Sequence, residues 1–179
     1  SYFRNKNLSF NNESIIIHQP YFSLRSIIKI EDINTKWLRR INLNKVLNSK
    51  ALIKKMNTKN EINFKPKIFS KNLIDDFNLN INLAYGRLTY SKKILIPKSV
   101  SVCNGDMNLI EEYPILYFNC SITSEDKKMF LKQFKINYKN KNEILKLNVE
   151  GNINILNNKI NFENITMNQS YKASKEDLK

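Results

Sequence analysis

Residues 143–162, EILKLNVEGNINILNNKINF, decide the fold. Leu145, Leu147, Val149, Ile153 and Ile155 fall on one side of this stretch. Lys146, Asn148, Glu150, Asn152 and Asn154 fall on the other. A period of two marks a strand with one dry and one wet face. Asn157-Asn158 stands where the chain must reverse, and Asn tolerates left-handed backbone better than other non-glycine residues. The stretch reads as a β-hairpin.

The same pattern extends through most of the chain. In residues 77–85, Phe77, Leu79, Ile81, Leu83 and Tyr85 share one face, and Asn78, Asn80 and Asn82 the other. Further strands are expected at 14–17, 21–30, 33–38, 62–64, 88–90, 94–96, 99–103, 107–110 and 115–122, with another beginning at Phe134, Ile136 and Tyr138. Residues 42–56 are the best helix candidate. Asn42 can cap it, Leu43, Val46 and Leu47 are helically spaced, and Lys54-Lys55 suit its C-terminal end. Short helical turns are expected at 70–76 and 124–131.

This tally sets the fold class: mainly β, an antiparallel one-sided sheet, curled or groove-like, with one flanking α-helix and one or two short helical turns. Residues 1–179 form a single β-rich domain or a segment of a larger protein. A polar linker at 57–72 is a possible sub-boundary, and 77–168 form a β-meander. Ten strands at about 4.8 Å spacing make a sheet nearly 50 Å wide, whereas a fifteen-residue helix is about 22 Å long. One helix cannot cover such a sheet. The dry face either closes on itself as a sandwich or barrel, meets a neighbouring domain, or holds a ligand, most naturally an acyl chain. The chain opens on Ser1, consistent with processing or excision. Near its other end, Ser174 and Asp177 form a helix-start signal, read either as a frayed tail or as a cut from a longer protein.

The net charge of +14 invites a nucleic-acid reading, but the composition argues against it. There are 29 Asn and 25 Lys against 5 Arg. Base readout favours the rigid guanidinium fork, and the lysines are scattered. Lys and Asn abundance is what AT-rich codons give. No apolar run approaches the ~20 residues of a membrane-spanning helix.

No catalytic constellation stands out. His18 is the single histidine and reads as a turn or surface residue. Asp75-Asp76, Glu111-Glu112 and Glu125-Asp126 are adjacent pairs whose side chains diverge, so they read as caps and turn residues. No Gly-rich phosphate loop, Cys-x-x-Cys or metal set is present. The sequons at Asn7, Asn12, Asn119, Asn164 and Asn168 are close to the number that chance gives with this much Asn. Asn104-Gly105 is a two-residue hairpin signal. It would place Cys103 and Cys120 on the outer strands of a three-strand meander, about 9.6 Å apart, beyond disulfide reach. Both are expected to be free, buried thiols.

The run from Leu79 to Leu178 resembles the AsmA-like family (the AsmA, TamB and YhdP type) of Gram-negative envelope proteins. The resemblance lies in the serial one-sided strands, in CNGDMNLIEEYPILYFNCSI (residues 103–122), and in NVEGNINILNNKINFENITMN (residues 148–168). It implies an inner-membrane-anchored, periplasmic protein whose repeating β-groove carries phospholipid. The anchor would lie outside this chain, and the family supplies no catalytic residues or cofactors. The expected lining for acyl chains is Leu79, Ile81, Leu83, Phe134, Ile136, Leu147, Val149, Ile153 and Phe162. The chain departs from the family in size, being one segment of such a groove. Two other readings are a closed-core structural or adhesive β domain that binds another protein, and a basic nucleic-acid-binding β domain.

Overall fold

A computed structural model describes residues 1–6, 8–19, 22–33, 49–64, 74–139, 141–174 and 176–177. Its strands are β1 (Tyr2–Arg4), β2 (Leu8–Ile17), β3 (Ser23–Ile33), β4 (Asn57–Phe64), β5 (Asp76–Ala84), β6 (Arg87–Ile96), β7 (Ser99–Asn108), β8 (Ile115–Ser124), β9 (Leu145–Asn154), β10 (Lys159–Met167) and β11 (Tyr171–Lys172). They form one open 11-stranded sheet in sequential order, not closed into a barrel. The neighbours pair antiparallel except β3 and β4, which run parallel. Among the described residues, two helices accompany the sheet, α1 (Lys50–Ile53) and α2 (Lys127–Gln133).

Several expectations from the sequence are corrected. Asn104-Gly105 is not a turn, because β7 runs unbroken through both residues and the chain reverses beyond Asn108. Cys103 and Cys120 therefore stand directly opposite on adjacent strands and are joined as a disulfide, with Cα atoms 4.0 Å apart. The expected short strands at 88–90 and 94–96 are one strand, β6. Residues 57–61, read as polar linker, join the strand expected at 62–64 to make β4, hydrogen-bonded to β3 on one side and β5 on the other. No strand forms at Phe134, Ile136 and Tyr138, which follow the end of α2. Of the expected helix at 42–56, residues 42–48 lie outside the described residues, and Lys50–Ile53 are helical. Residues 34–38 and 70–73, read as strand and helical turn, also lie outside the described residues.

The hairpin at 143–162 forms as read. Asn154 pairs with Lys159 and Ile153 with Ile160. Asparagine builds its turn: the Asn154 Oδ1 accepts from the amides of Leu156 and Asn157, and Asn158 takes φ 56°. At α2, the Asp126 carboxylate accepts from the Met129 amide at 2.8 Å, satisfying one of the free N–H groups of the first turn.

The cross-strand register holds except for irregularities at Ser9/Phe10 between β2 and β3 and at Phe162/Asn164 in β10, so the dry face is a grid. Four rows cross the sheet from β2 to β10. The first includes Leu83, Leu88, Leu116 and Ile153. The second runs through Asn60, Ile81, Tyr90, Gly105, Phe118, Gly151 and Phe162. The third runs through Ile62, Leu79, Lys92, Cys103, Cys120, Val149 and Ile165. The fourth includes Phe77, Ile94, Ile122, Leu147 and Met167. The helices cover the outer rows. From α1, Ile53 packs on Met107 and Leu109, with Leu83, Leu88 and Leu116 around them. From α2, Phe130 packs on Ile96 and Leu145, with Ile94, Ile122 and Leu147 around them. These two clusters sit at opposite ends of the strands.

Candidate functional site: an uncovered apolar lane

Between the two helix-covered clusters, the second and third rows belong to neither cluster. They form a lane two residues wide that is apolar from β5 to β10 apart from Lys92, a span of about 24 Å at the usual strand spacing. The lane continues onto β2 to β4 through Asn12, Ser14, Ser26 and Asn60 beside Ile28 and Ile62. Leu79, Ile81, Phe118 and Val149 in the lane are only half-buried, and Phe162 is 39% exposed. The whole chain carries 13201 Å² of accessible surface. A folded monomer of this mass has about 9,000 Å². Among the described residues the strands make a single layer, and the two helices pack over its outer rows. Large exposed apolar surface marks a place where something else binds.

Aromatic rings and glycines alternate in direct register along the lane. Tyr90 faces Gly105, which faces Phe118, which faces Gly151, which faces Phe162. A Cβ on Gly105 would come within 2.5 Å of the Tyr90 ring, and one on Gly151 within 2.9 Å of the Phe118 ring. Each glycine lets a ring fold flat across the neighbouring strand. Phe118 and Phe162 then meet edge to face at 6.3 Å. Burial pushes the Tyr90 phenol pKa up, so it is neutral and able to donate. The disulfide lies beside this aromatic row.

The lane takes Leu79, Ile81, Val149 and Phe162 of the expected lining. Leu83, Leu147 and Ile153 share the dry face but lie in the rows that flank it. Phe134 and Ile136 are not part of it. Phe134 caps the end of α2 and packs on Phe130 at 5.0 Å, and Ile136 is 53% exposed in the segment that follows. Sequence reading missed Tyr90, Lys92 and Gly105. Their signal was present, since residues 88, 90, 92, 94 and 96 hold strict alternation once Lys92 is allowed to point inward.

The opposite face suits water. Asparagine ladders cross it: Asn78 donates to Asn63 at 2.7 Å, Asn63 to Glu61 at 2.8 Å, and Asn119 to Glu150 at 2.9 Å. A depression of about 550 Å³ on that side mixes charged Glu13, Arg25, Lys59 and Glu61 with the apolar Ile15 and Ile27. The acidic pairs serve as caps and turns. Asp126 caps α2, Asp76 opens β5, and Glu111 accepts from Asn108 and, through its backbone carbonyl, from Lys50. Among the described residues, no three His, Cys, Asp or Glu side chains come together to hold a metal, and no helix is long and apolar enough to cross a membrane. Comparison of the chain with protein-family models, curated protein sequences and solved structures gave no match.

Proposed function

We propose that this chain is a segment of an AsmA-like cell-envelope protein whose dry face seats phospholipid acyl chains. It would thereby support lipid transport or outer-membrane assembly in the periplasm. The observation that carries the reading is the uncovered lane between the clusters built by α1 and α2. Such a site needs length and a predominantly apolar lining with few polar groups. Each methylene withdrawn from water contributes about 0.8 kcal/mol. Roughly a dozen methylenes would give about 10 kcal/mol before the costs of association. The Cys103–Cys120 disulfide supports an oxidising compartment such as the periplasm.

Native mass spectrometry of gently purified protein tests the reading. Co-purifying phospholipid is expected, in smaller amount for Ile81→Asn and Val149→Asn, which put amides into the lane. A clean apo mass, together with no uptake of a fluorescent acyl probe, would sink the proposal.

A further inference from the structure

Lys92 is the only charged side chain in the four rows of the dry face. It occupies the middle of the third row, with Leu79 directly opposite on β5 and Cys103 directly opposite on β7. Tyr90 and Ile94 flank it along β6 on the same face. Lys92 is half-buried, and among the described residues its amine has no ion-pair or hydrogen-bond partner. The charged residues of the neighbouring strands lie on the other face. Arg87 pairs there with Asp106 at 3.1 Å, and Lys93 points to that side as well. A cation on an apolar surface carries a desolvation cost that a hydrophobic residue would avoid. An oxyanion arriving with an apolar chain would offset that cost with a charge-assisted hydrogen bond.

We infer that the lane binds an anionic amphiphile, with its carboxylate or phosphate held at the Lys92 ammonium in the middle of the sheet. The chain then runs across the strands, over the Tyr90–Gly105–Phe118 row or along Leu79 and Ile62. The Tyr90 hydroxyl, two residues along β6 on the same face, is a further donor. This inference rests on the acyl-chain reading above and adds to it the chemistry and position of the head group. A lipid whose head stays in water outside the sheet has no use for Lys92.

The test compares two probes with the same chain: a fluorescent polyene fatty acid and its methyl ester. Alkyl phosphate, acetate and inorganic phosphate serve as competitors. Wild-type protein should bind the acid about tenfold tighter than the ester, the effect of one hydrogen bond to a charged group. Lys92→Met should remove that preference, and Lys92→Arg should keep it. Lys146→Met, on the wet face, should change neither. Alkyl phosphate should compete, whereas acetate and inorganic phosphate should not, which separates a lipid head group from a free anion. If both probes bind and Lys92→Met leaves their ratio unchanged, the anchor is wrong and the acyl-chain reading stands. If neither probe binds, both fail. Should Lys92→Met not fold, Lys92→Gln supplies the same comparison.

Discussion

At the residue scale, the lane depends on two missing methyl groups. A Cβ on Gly151 would lie 2.3 Å from the Asn161 carbonyl oxygen, and one on Gly105 would lie 2.3 Å from that of Tyr117. These are backbone atoms of neighbouring strands and cannot turn aside as a side chain can. Gly105→Ala and Gly151→Ala should each destabilise by about 1–3 kcal/mol, the usual cost of overpacking. Urea unfolding measures this, and a loss below about 0.5 kcal/mol would show that the strands part easily there. These contacts could not be read from the chain, because a glycine in a strand signals only weakness or a bend until its cross-strand partner is known. The disulfide was hidden for the same reason. Its two cysteines meet only if β7 runs straight through Asn104-Gly105, which local turn preference argues against.

At the element scale, the strands were legible wherever the period of two was clean, as at residues 77–85 and 143–162. They were misjudged where a polar pair interrupted it, as at Lys92-Lys93 in β6. Helix α2 shows how an element is fixed by its flanks. The Lys127 ammonium hydrogen-bonds the Glu143 carboxylate, the Tyr138 hydroxyl donates to the same carboxylate at 3.0 Å, and the ammonium sits 4.6 Å from the Tyr138 ring. The Lys127 bond and then the Tyr138 bond lower the Glu143 pKa. The bond to Glu143 raises that of Lys127 despite its burial. A depressed carboxylate contributes stability that is present above its unfolded pKa and lost as pH falls through its folded pKa. A raised amine contributes stability that is present below its unfolded pKa and lost as pH rises through its folded pKa. The clamp therefore acts across the neutral range. Glu143→Gln should lower the melting temperature at pH 7, and its gap from wild type should close as pH falls below the ordinary carboxylate range. A gap that stays constant from pH 7 to pH 3 would show that charge plays no part.

At the scale of the whole molecule, the one-sided sheet was foreseeable from the pattern. The uncovered lane was not. It follows from where two short helices land, and only the cross-strand register reveals that. The same register grades stability across the sheet. The outermost strands are short, three residues in β1 and two in β11, while β6 to β9 are each ten residues long and bear both helices and the disulfide. Hydrogen exchange should be slowest in β6 to β9 and quickest in β1 and β11. Uniform protection across the sheet would mean that it opens as one cooperative unit.

The sequential strand order carries a longer consequence. Each strand from β4 onward pairs with its neighbours in the chain, and no strand returns to seal the sheet. Nothing in the geometry therefore fixes how many strands there are. Removing or duplicating one hairpin would preserve strand polarity, keep dry side chains in line with dry ones, and change the lane by two strand widths, about 10 Å. Reach is thus a quantity that gene duplication can adjust without redesigning the fold, as the number of rungs sets the length of a ladder.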